Sequence, residues 1–278
     1  MRTAVIGHVE WTEFASVERV PAQGEIVRAA GSFVEPAGGG AVAAVQLARL
    51  AGECTLFTAL GGDEPARRSR ERLGELGVRV EAAVRDGSPT RRAFTFVDAH
   101  GERTITVIGE RLQPARDDEL PWDELASADA VYFTAGDPDT LRAARAARVV
   151  VGTARVMDTL AAAAVELDAV VGSGRDPSER FRPIDPPPRL VVTTAGAHGG
   201  EWVGAEGRTG AWAAAELPGP VADAYGCGDS FAAGLTYALG DGRDVDSALE
   251  LASKCGATCL TGHGPYERQS RALDAGVA

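Results

Sequence analysis

Lysine is nearly missing from this chain: of its 28 basic residues only Lys254 is one. The shortage excludes the lysine-bearing phosphate loop and the strand lysine of protein kinases. It also leaves little room for a Schiff-base lysine. A codon preference would produce the same shortage, and the exclusions stand either way. Any chemistry on phosphate here must rest on backbone amides, arginine and metal.

Cysteine is scarce too. Cys54, Cys227, Cys255 and Cys259 show no paired C-x-x-C spacing. Cys255 and Cys259 lie four apart on an expected helix, but no further ligand cluster joins them. Buried free thiols in a reducing compartment are therefore expected. No run of about 18 apolar residues occurs, so no membrane-spanning helix is expected. The opening "MRTAVIGHVEW" lacks the long apolar core and cleavage site of a secretory signal, so a cytoplasmic location is expected. A net charge of −12 opposes nucleic acid as a partner, because phosphate backbones want a basic face. It does not oppose a small anion, since a local site can run against the global charge.

The 278 residues suit one large domain, or one with a small appendage, and suffice for a sizeable core. Short apolar runs alternate with Ala/Leu/Arg-rich helical stretches. Strands are expected at 3–7, 54–61, 130–136, 147–153, 167–173 and 189–196, and helices at 40–52 and 64–77. Continuous Val/Ile runs between helices point to a parallel sheet covered on both faces. The expected fold class is α/β, doubly wound. Segments 10–35 and 91–108 break the rhythm with period-2 patterning, the second around a turn at His100–Gly101. They are expected to pair as antiparallel strands into a small separate β lid.

One stretch concentrates the chemistry: "DAYGCGDSF", 223–231, ahead of a helical "AAGLTYALG". Asp223, Gly226 and Gly228 precede a second acid, Asp229. Glycines let a backbone turn tightly and present successive N–H groups to an anion, and the following helix adds the positive end of its dipole. Asp229 would then sit beside developing negative charge, taking a proton or helping to organise a metal. Alternatively it is a plain helix N-cap. Spacing alone does not choose.

"DAYGCGDSFAAGL" resembles the D-T-x-G-A-G-D-x-F-x-x-G-[LF] signature of the PfkB carbohydrate kinases, the ribokinase-like family. Asp223, Gly226, Gly228, Asp229, Phe231 and Gly234 are in register, with Ala224 for the usual Thr and Cys227 for the usual Ala. "PAGGGAVAAVQLARLAG", 36–52, resembles the family's N-terminal signature. "VVTTAGAHGG" resembles its nucleotide strand, with Thr194, Gly196 and Gly199 in place. The resemblance runs over nearly the whole chain. It implies a doubly wound sheet with a β lid, and a kinase moving the γ-phosphoryl of ATP, carried with Mg²⁺, to a hydroxyl of a sugar or sugar-like molecule. Asp229 would be the general base, and the amides of Gly226, Cys227 and Gly228 the anion hole.

Phosphate-side parts of the family pattern are largely kept, while sugar-side parts are rebuilt. The Asn of the N-terminal signature falls on Val42, and the family's N-x-x-E falls on "SGRD", giving Ser173 and Asp176, the latter a candidate to reach the metal through Mg-ATP. Glu10, Trp11, Gly38, Gly39, Gly40 and Arg103 are the substrate-side candidates. A sugar stacked on Trp11 with its hydroxyls held by Glu10 is one reading; a Trp11 packed in a lid or dimer contact is another. Arg103 reaches substrate or sits solvated in a turn. His263 lies near the expected adenine site by resemblance, though a single His is weak evidence. A homodimer through the lid is expected, because exposed strand edges invite pairing. Whether a monovalent cation assists is open. A nucleoside kinase of the same family and a non-catalytic binding protein on this fold are the competing readings.

Overall fold

The computed structural model describes residues 1–272; the last six of the single domain expected over 1–278 lie outside them. Four apolar runs, β1 (Thr3–Ile6), β8 (Ala130–Phe133), β9 (Val149–Thr153) and β10 (Ala169–Ser173), are buried almost throughout. A strand buried on both faces reads as a continuous apolar run because both layers above and below it must be dry. With β4 (Cys54–Gly61), β5 (Val78–Arg85), β11 (Leu190–Thr194), β12 (Gly200–Gly204) and β13 (Thr209–Trp212) they form a nine-stranded sheet, ordered β13-β12-β11-β10-β9-β8-β1-β4-β5. The pairs from β11 through β10, β9, β8, β1 and β4 to β5 are parallel; only β11–β12 and β12–β13 are antiparallel.

Helices cover both faces. On one, α1 (Gly39–Ala51), α5 (Cys227–Gly240) and α6 (Val245–Leu260) share a core with Val5, Leu56, Tyr132 and Val151. On the other, α3 (Pro138–Ala144) and α4 (Met157–Ala163) pack Leu141 and Leu160 against Ile6, Phe133 and Val170. Helix α2 (Glu64–Glu75) has Asp63 at its N-cap, its carboxylate accepting from the Ala66 amide, and Pro65 in its first turn. Leu73 carries its buried face and Leu76 stands just past its end.

The lid is a second sheet ordered β3-β2-β6-β7, from β2 (Glu10–Ser16), β3 (Gly31–Ala37), β6 (Arg92–Val97) and β7 (Arg103–Ile108). Its two hairpins are antiparallel inside and joined by a parallel β2–β6 pairing. Residues 17–30, in the middle of the first lid segment, form no strand; Pro21 and a turn closed by Glu25 N to Ala22 O (3.0 Å) interrupt it. Phe14 stacks on its cross-strand partner Phe33 (4.8 Å) and meets Tyr225 edge-on (4.9 Å), which seats the lid on the glycine turn before α5. All four cysteines are free, three of them buried, and the described residues gather no cluster of three His, Cys, Asp or Glu that could hold a metal. No helix among the described residues is long and apolar enough to cross a membrane.

Candidate active site

The two acids of the 223–231 stretch divide their labour. Asp223 is buried, and its carboxylate accepts from the amides of Tyr225 (2.8 Å) and Gly264 (2.9 Å). It pins the turn to the segment after α6. Gly226 then takes a left-handed conformation (φ 79°) at the N-cap of α5. A β-carbon there would meet Val42 Cγ1 at 2.9 Å, so glycine is required for space as well as for backbone. Val42, where the family signature has Asn, is thus a packing residue under the turn.

The N-cap alternative for Asp229 fails on this geometry. Gly226 holds that place, Asp229 is the third residue of the helix, and no side-chain cap bond closes its N-terminus. The first intrahelical bond is Ser230 N to Gly226 O at 2.8 Å. The amides of Cys227, Gly228 and Asp229 therefore lack an intrahelical acceptor, as first-turn amides do. A β-carbon at Gly228 would meet no atom within 4 Å, so the turn is open to an approaching ligand there.

Asp229 faces the start of α1. A β-carbon at Gly39 would stand 2.9 Å from Asp229 Oδ1 and 3.0 Å from Thr134 Oγ1, at the end of β8. Gly40 is needed one residue on, where a β-carbon would come within 2.6 Å of His8 O. Burial pushes the Asp229 pKa above the usual carboxylate range, against the pull of Arg155 and Arg103. A carboxylate without a cap role, poised above its ordinary pKa beside an amide-lined turn, is equipped to take a proton.

The surroundings of Glu10 are richer in polar groups than expected. Glu10 is buried; its Oε1 accepts from Tyr225 OH (3.3 Å) and its Oε2 stands 3.4 Å from Arg91 Nε. Tyr225 OH also accepts from Gly38 N at 3.2 Å. Burial raises the Glu10 pKa, opposed by Arg91 and the Tyr225 bond. His8 lies against Gly38, where a β-carbon would be 3.0 Å from Nε2. Burial, then Arg111, Arg91 and Arg155, lower its pKa to about 3, so it is neutral near pH 7.

Other expected residues fall in different places. Trp11 follows Glu10 on β2 and so points to the opposite face of the lid, where Arg68 lies over its ring at 4.8 Å. One sugar cannot be stacked on Trp11 and held by Glu10; the packed reading of Trp11 is the one the geometry gives. Arg103 is exposed at the start of β7, and its Nη1 donates to Ala224 O at 2.7 Å. Thr194, Gly196 and Gly199 close β11 together: Thr194 Oγ1 donates to Gly172 O (3.2 Å), and both glycines have positive φ. Asp176 caps a short turn, accepting from Ser178 N (2.9 Å) and Oγ (2.7 Å), with Arg155 Nη2 3.5 Å away. Ser173 Oγ accepts from Arg175 N (3.2 Å). His263 is exposed, its amide donating to Glu267.

Reading the sequence missed His8, Arg91, Arg111, Thr134, Arg155 and Tyr225. Tyr225 lies inside the glycine motif, and His8 follows the first strand, where open α/β sites are built. The arginines had no local signal, being spread over three connections.

The family model for pfkB family carbohydrate kinase matches residues 2–171 and 143–271. An ATP-dependent ribose-1-phosphate kinase from Halopiger xanaduensis is 30% identical over 301 residues, covering 100% of this chain and 97% of the relative. Among solved structures, ribokinase from Cryptococcus neoformans in complex with ADP superposes with a TM-score of 0.78 at 20% identity, covering 99% of this chain and 98% of the other. Adenosine kinase from Sinorhizobium meliloti also gives 0.78, at 18% identity, over 99% and 97%. The mostly parallel nine-stranded sheet with its flanking helices and small second sheet agrees with these matches, and the chain belongs to the pfkB family of carbohydrate kinases.

Proposed function

We propose that the protein transfers the γ-phosphoryl group of ATP to a hydroxyl of a sugar or sugar phosphate, with Asp229 as general base. The observation that carries this is the placement of Asp229: third in α5, released from capping, facing Gly39 and Thr134. In the reaction the acceptor oxygen bonds to the γ-phosphorus while its bond to the bridging oxygen of ADP breaks. The acceptor's proton passes to Asp229. The amides of the N-cap Gly226 and of Cys227 and Gly228, the first two residues of α5, face the charge that builds on the transferred group. Positioning and charge stabilisation supply most of the catalysis in phosphoryl transfer, so a site without lysine is adequate.

Thr194, Gly196 and Gly199 close β11 on the same carboxyl edge of the sheet, and hold the nucleotide in this reading. Mg²⁺ carried with ATP would neutralise charge on its phosphates; the described residues gather no metal cage of their own. Asp176, whose Oδ1 accepts two bonds from Ser178 and whose Oδ2 stands 3.5 Å from Arg155 Nη2, would be the residue to help hold that ion. Glu10, held by Tyr225 and Arg91, faces the acceptor. A cytoplasmic location and a homodimer through the lid belong to the same proposal.

The test is ADP release on purified protein with ATP and Mg²⁺, over free sugars, sugar phosphates, polyols and nucleosides, with and without potassium. Ribose 1-phosphate heads the panel, because the Halopiger relative is named for it. Turnover of a sugar or sugar phosphate supports the proposal. Turnover of nucleosides alone moves the protein to that branch, and ATP binding with no turnover on any acceptor makes it a binding protein.

A further inference from the structure

Two thiols from different helices meet behind the glycine turn. Cys227 is the first residue of α5, and Cys259 lies in the last turn of α6. Each sulfur rests on a carbonyl of the same turn: Cys227 Sγ is 3.8 Å from Asp223 O, and Cys259 Sγ is 3.5 Å from Tyr225 O. The sulfurs are also in hydrogen-bond contact with each other, Cys227 being the donor. Helix α6 makes room for this approach at Gly256, where a β-carbon would stand 3.3 Å from Cys227 O. The family pattern has Ala where Cys227 stands, so the turn itself asks for no sulfur.

The other two thiols are of a different kind. Cys54 and Cys255 are buried, and burial pushes both up to about 12. Such thiols stay protonated and inert. Cys227 is the one cysteine of the four that is not fully buried, and it neighbours Gly228, where a β-carbon would meet no atom within 4 Å. Cys259 has no exposed surface. A thiol open on one side, with a second thiol against the other, is the arrangement of an attacking and a resolving cysteine. The bond to Cys259, then burial, raises the Cys227 pKa, and the same bond lowers that of Cys259. The buried sulfur thus takes the charge of the singly ionised pair and serves as base for the open thiol.

We propose that Cys227 and Cys259 are a redox modification site: a hydroperoxide oxidises Cys227, Cys259 closes a disulfide, and the turn is disabled until a dithiol reopens it. The Cys227 sulfur attacks a peroxide oxygen. An S–O bond forms, the O–O bond breaks, and the departing oxygen takes one proton of the pair. The Cys259 sulfur then attacks the Cys227 sulfur. An S–S bond forms, the S–O bond breaks, and the leaving hydroxide takes the second proton as water. The two thiols lose two electrons and the hydroperoxide gains them. Joining the sulfurs draws the first residue of α5 onto the end of α6, and the amides of Cys227 and Gly228 lose their aim. A misplacement of about 1 Å costs about a hundredfold in rate. The modification goes beyond the kinase reading; only its effect on turnover rests on that reading.

The experiment treats the full chain with a molar excess of hydrogen peroxide, blocks remaining thiols with N-ethylmaleimide, and maps the peptides by mass spectrometry. ADP release and the thermal shift given by ATP·Mg²⁺ are measured before and after, and again after dithiothreitol. Expected in the parent are a Cys227–Cys259 cross-link, a turnover lowered about ten- to a hundredfold, and a smaller ATP shift, all reversed by the dithiol. Cys259→Ser keeps a donor for Tyr225 O; its untreated turnover should match the parent. Peroxide should leave it without the cross-link and with a sulfenic acid on Cys227, trapped by dimedone. Both cysteines found alkylated after peroxide, or Cys259 joined to Cys255 instead, overturns the proposal. So does a Cys227–Cys259 disulfide that leaves turnover and ATP shift unchanged. The peptide map needs only the parent protein, so a variant that does not fold leaves the test standing. Should no acceptor turn over in the reduced protein, the kinase reading fails by itself. The map then still decides the modification, and the ATP shift its effect on the turn.

Discussion

Arg103, the first residue of β7, donates from Nη1 to the carbonyl of Ala224 at 2.7 Å, two residues before the glycine that opens α5. The Ala224 amide in turn donates to Gly101 O at 2.9 Å. The tip of the lid hairpin is thus latched to the strand of chain that aims Asp229. Arg103→Ala should loosen the hairpin: amide exchange over 92–108 should speed up about tenfold, in line with the loss of one charged hydrogen bond. Acceptor KM should rise with it. Exchange rates unchanged from the parent would show that the latch holds nothing.

Asp229→Asn separates the two ways of reading that residue. A positioned base is worth about 10² to 10⁴ in rate, so turnover should fall by that order while ATP binding persists. The raised pKa sets the sign for stability. Its stabilising contribution is present below the unfolded value of about 3.9 and is lost as pH rises through the higher folded value. At neutral pH the ionised group therefore weighs against folding, and Asn should raise Tm. Turnover should also decline as pH falls through that raised pKa. A variant with near-parent turnover, measured by ADP release, would remove Asp229 from the chemistry.

Gly39→Ala places one methyl 2.9 Å from Asp229 Oδ1. Alanine suits the first turn of a helix, so Tm should change little. The carboxylate must move, and kcat should drop about tenfold or more, as small misplacements of reacting groups do. Parallel losses in Tm and kcat would point to a folding defect instead.

Gly226→Ala should be the reverse case. A left-handed φ costs a non-glycine residue about 1–2 kcal/mol, and the 2.9 Å approach to Val42 Cγ1 adds to it. Chemical denaturation should show a loss of about 1–3 kcal/mol. The companion Val42→Ala should recover part of that loss; no recovery would mean that the backbone, and not the packing, carries the cost.

Edge strand β7 exposes all six residues, Ile105 and Val107 among them. An exposed apolar edge pairs readily with another copy. Sedimentation should show a dimer for the parent and a monomer for Ile105→Lys/Val107→Lys. A dimer that survives both charges lies elsewhere on the surface.

The central sheet was legible because β1, β8, β9 and β10 are dry almost throughout, and dryness writes itself as unbroken apolar runs. Strand β5 was not: it is partly exposed along most of its length, and "VRVEAAVR" carries mixed polarity. The β12–β13 hairpin was hidden for another reason. Its short strands depend on Trp202 and Trp212 folding over glycines 200 and 210, contacts without sequence periodicity. Of the site, the glycine turn and Asp229 could be read locally, since a turn and a helix start are local events. The roles of Asp223 and Tyr225 could not, because Gly264 and Glu10, which they bind, lie 41 and 215 residues away. Of the two readings of Trp11, the joint one with Glu10 took sequence neighbours as spatial ones, where a strand sends them to opposite faces.

The lone lysine has one more consequence. Lys254 stands exposed on α6, paired with Glu250 at 2.7 Å, and outside the glycine turn. Apart from the chain's own amino terminus, it is the single amine the protein offers. An amine-directed dye or resin would therefore attach at one defined side-chain position and leave the site untouched, whereas a dicarbonyl reagent selective for guanidinium would strike Arg91, Arg111 and Arg155 around His8.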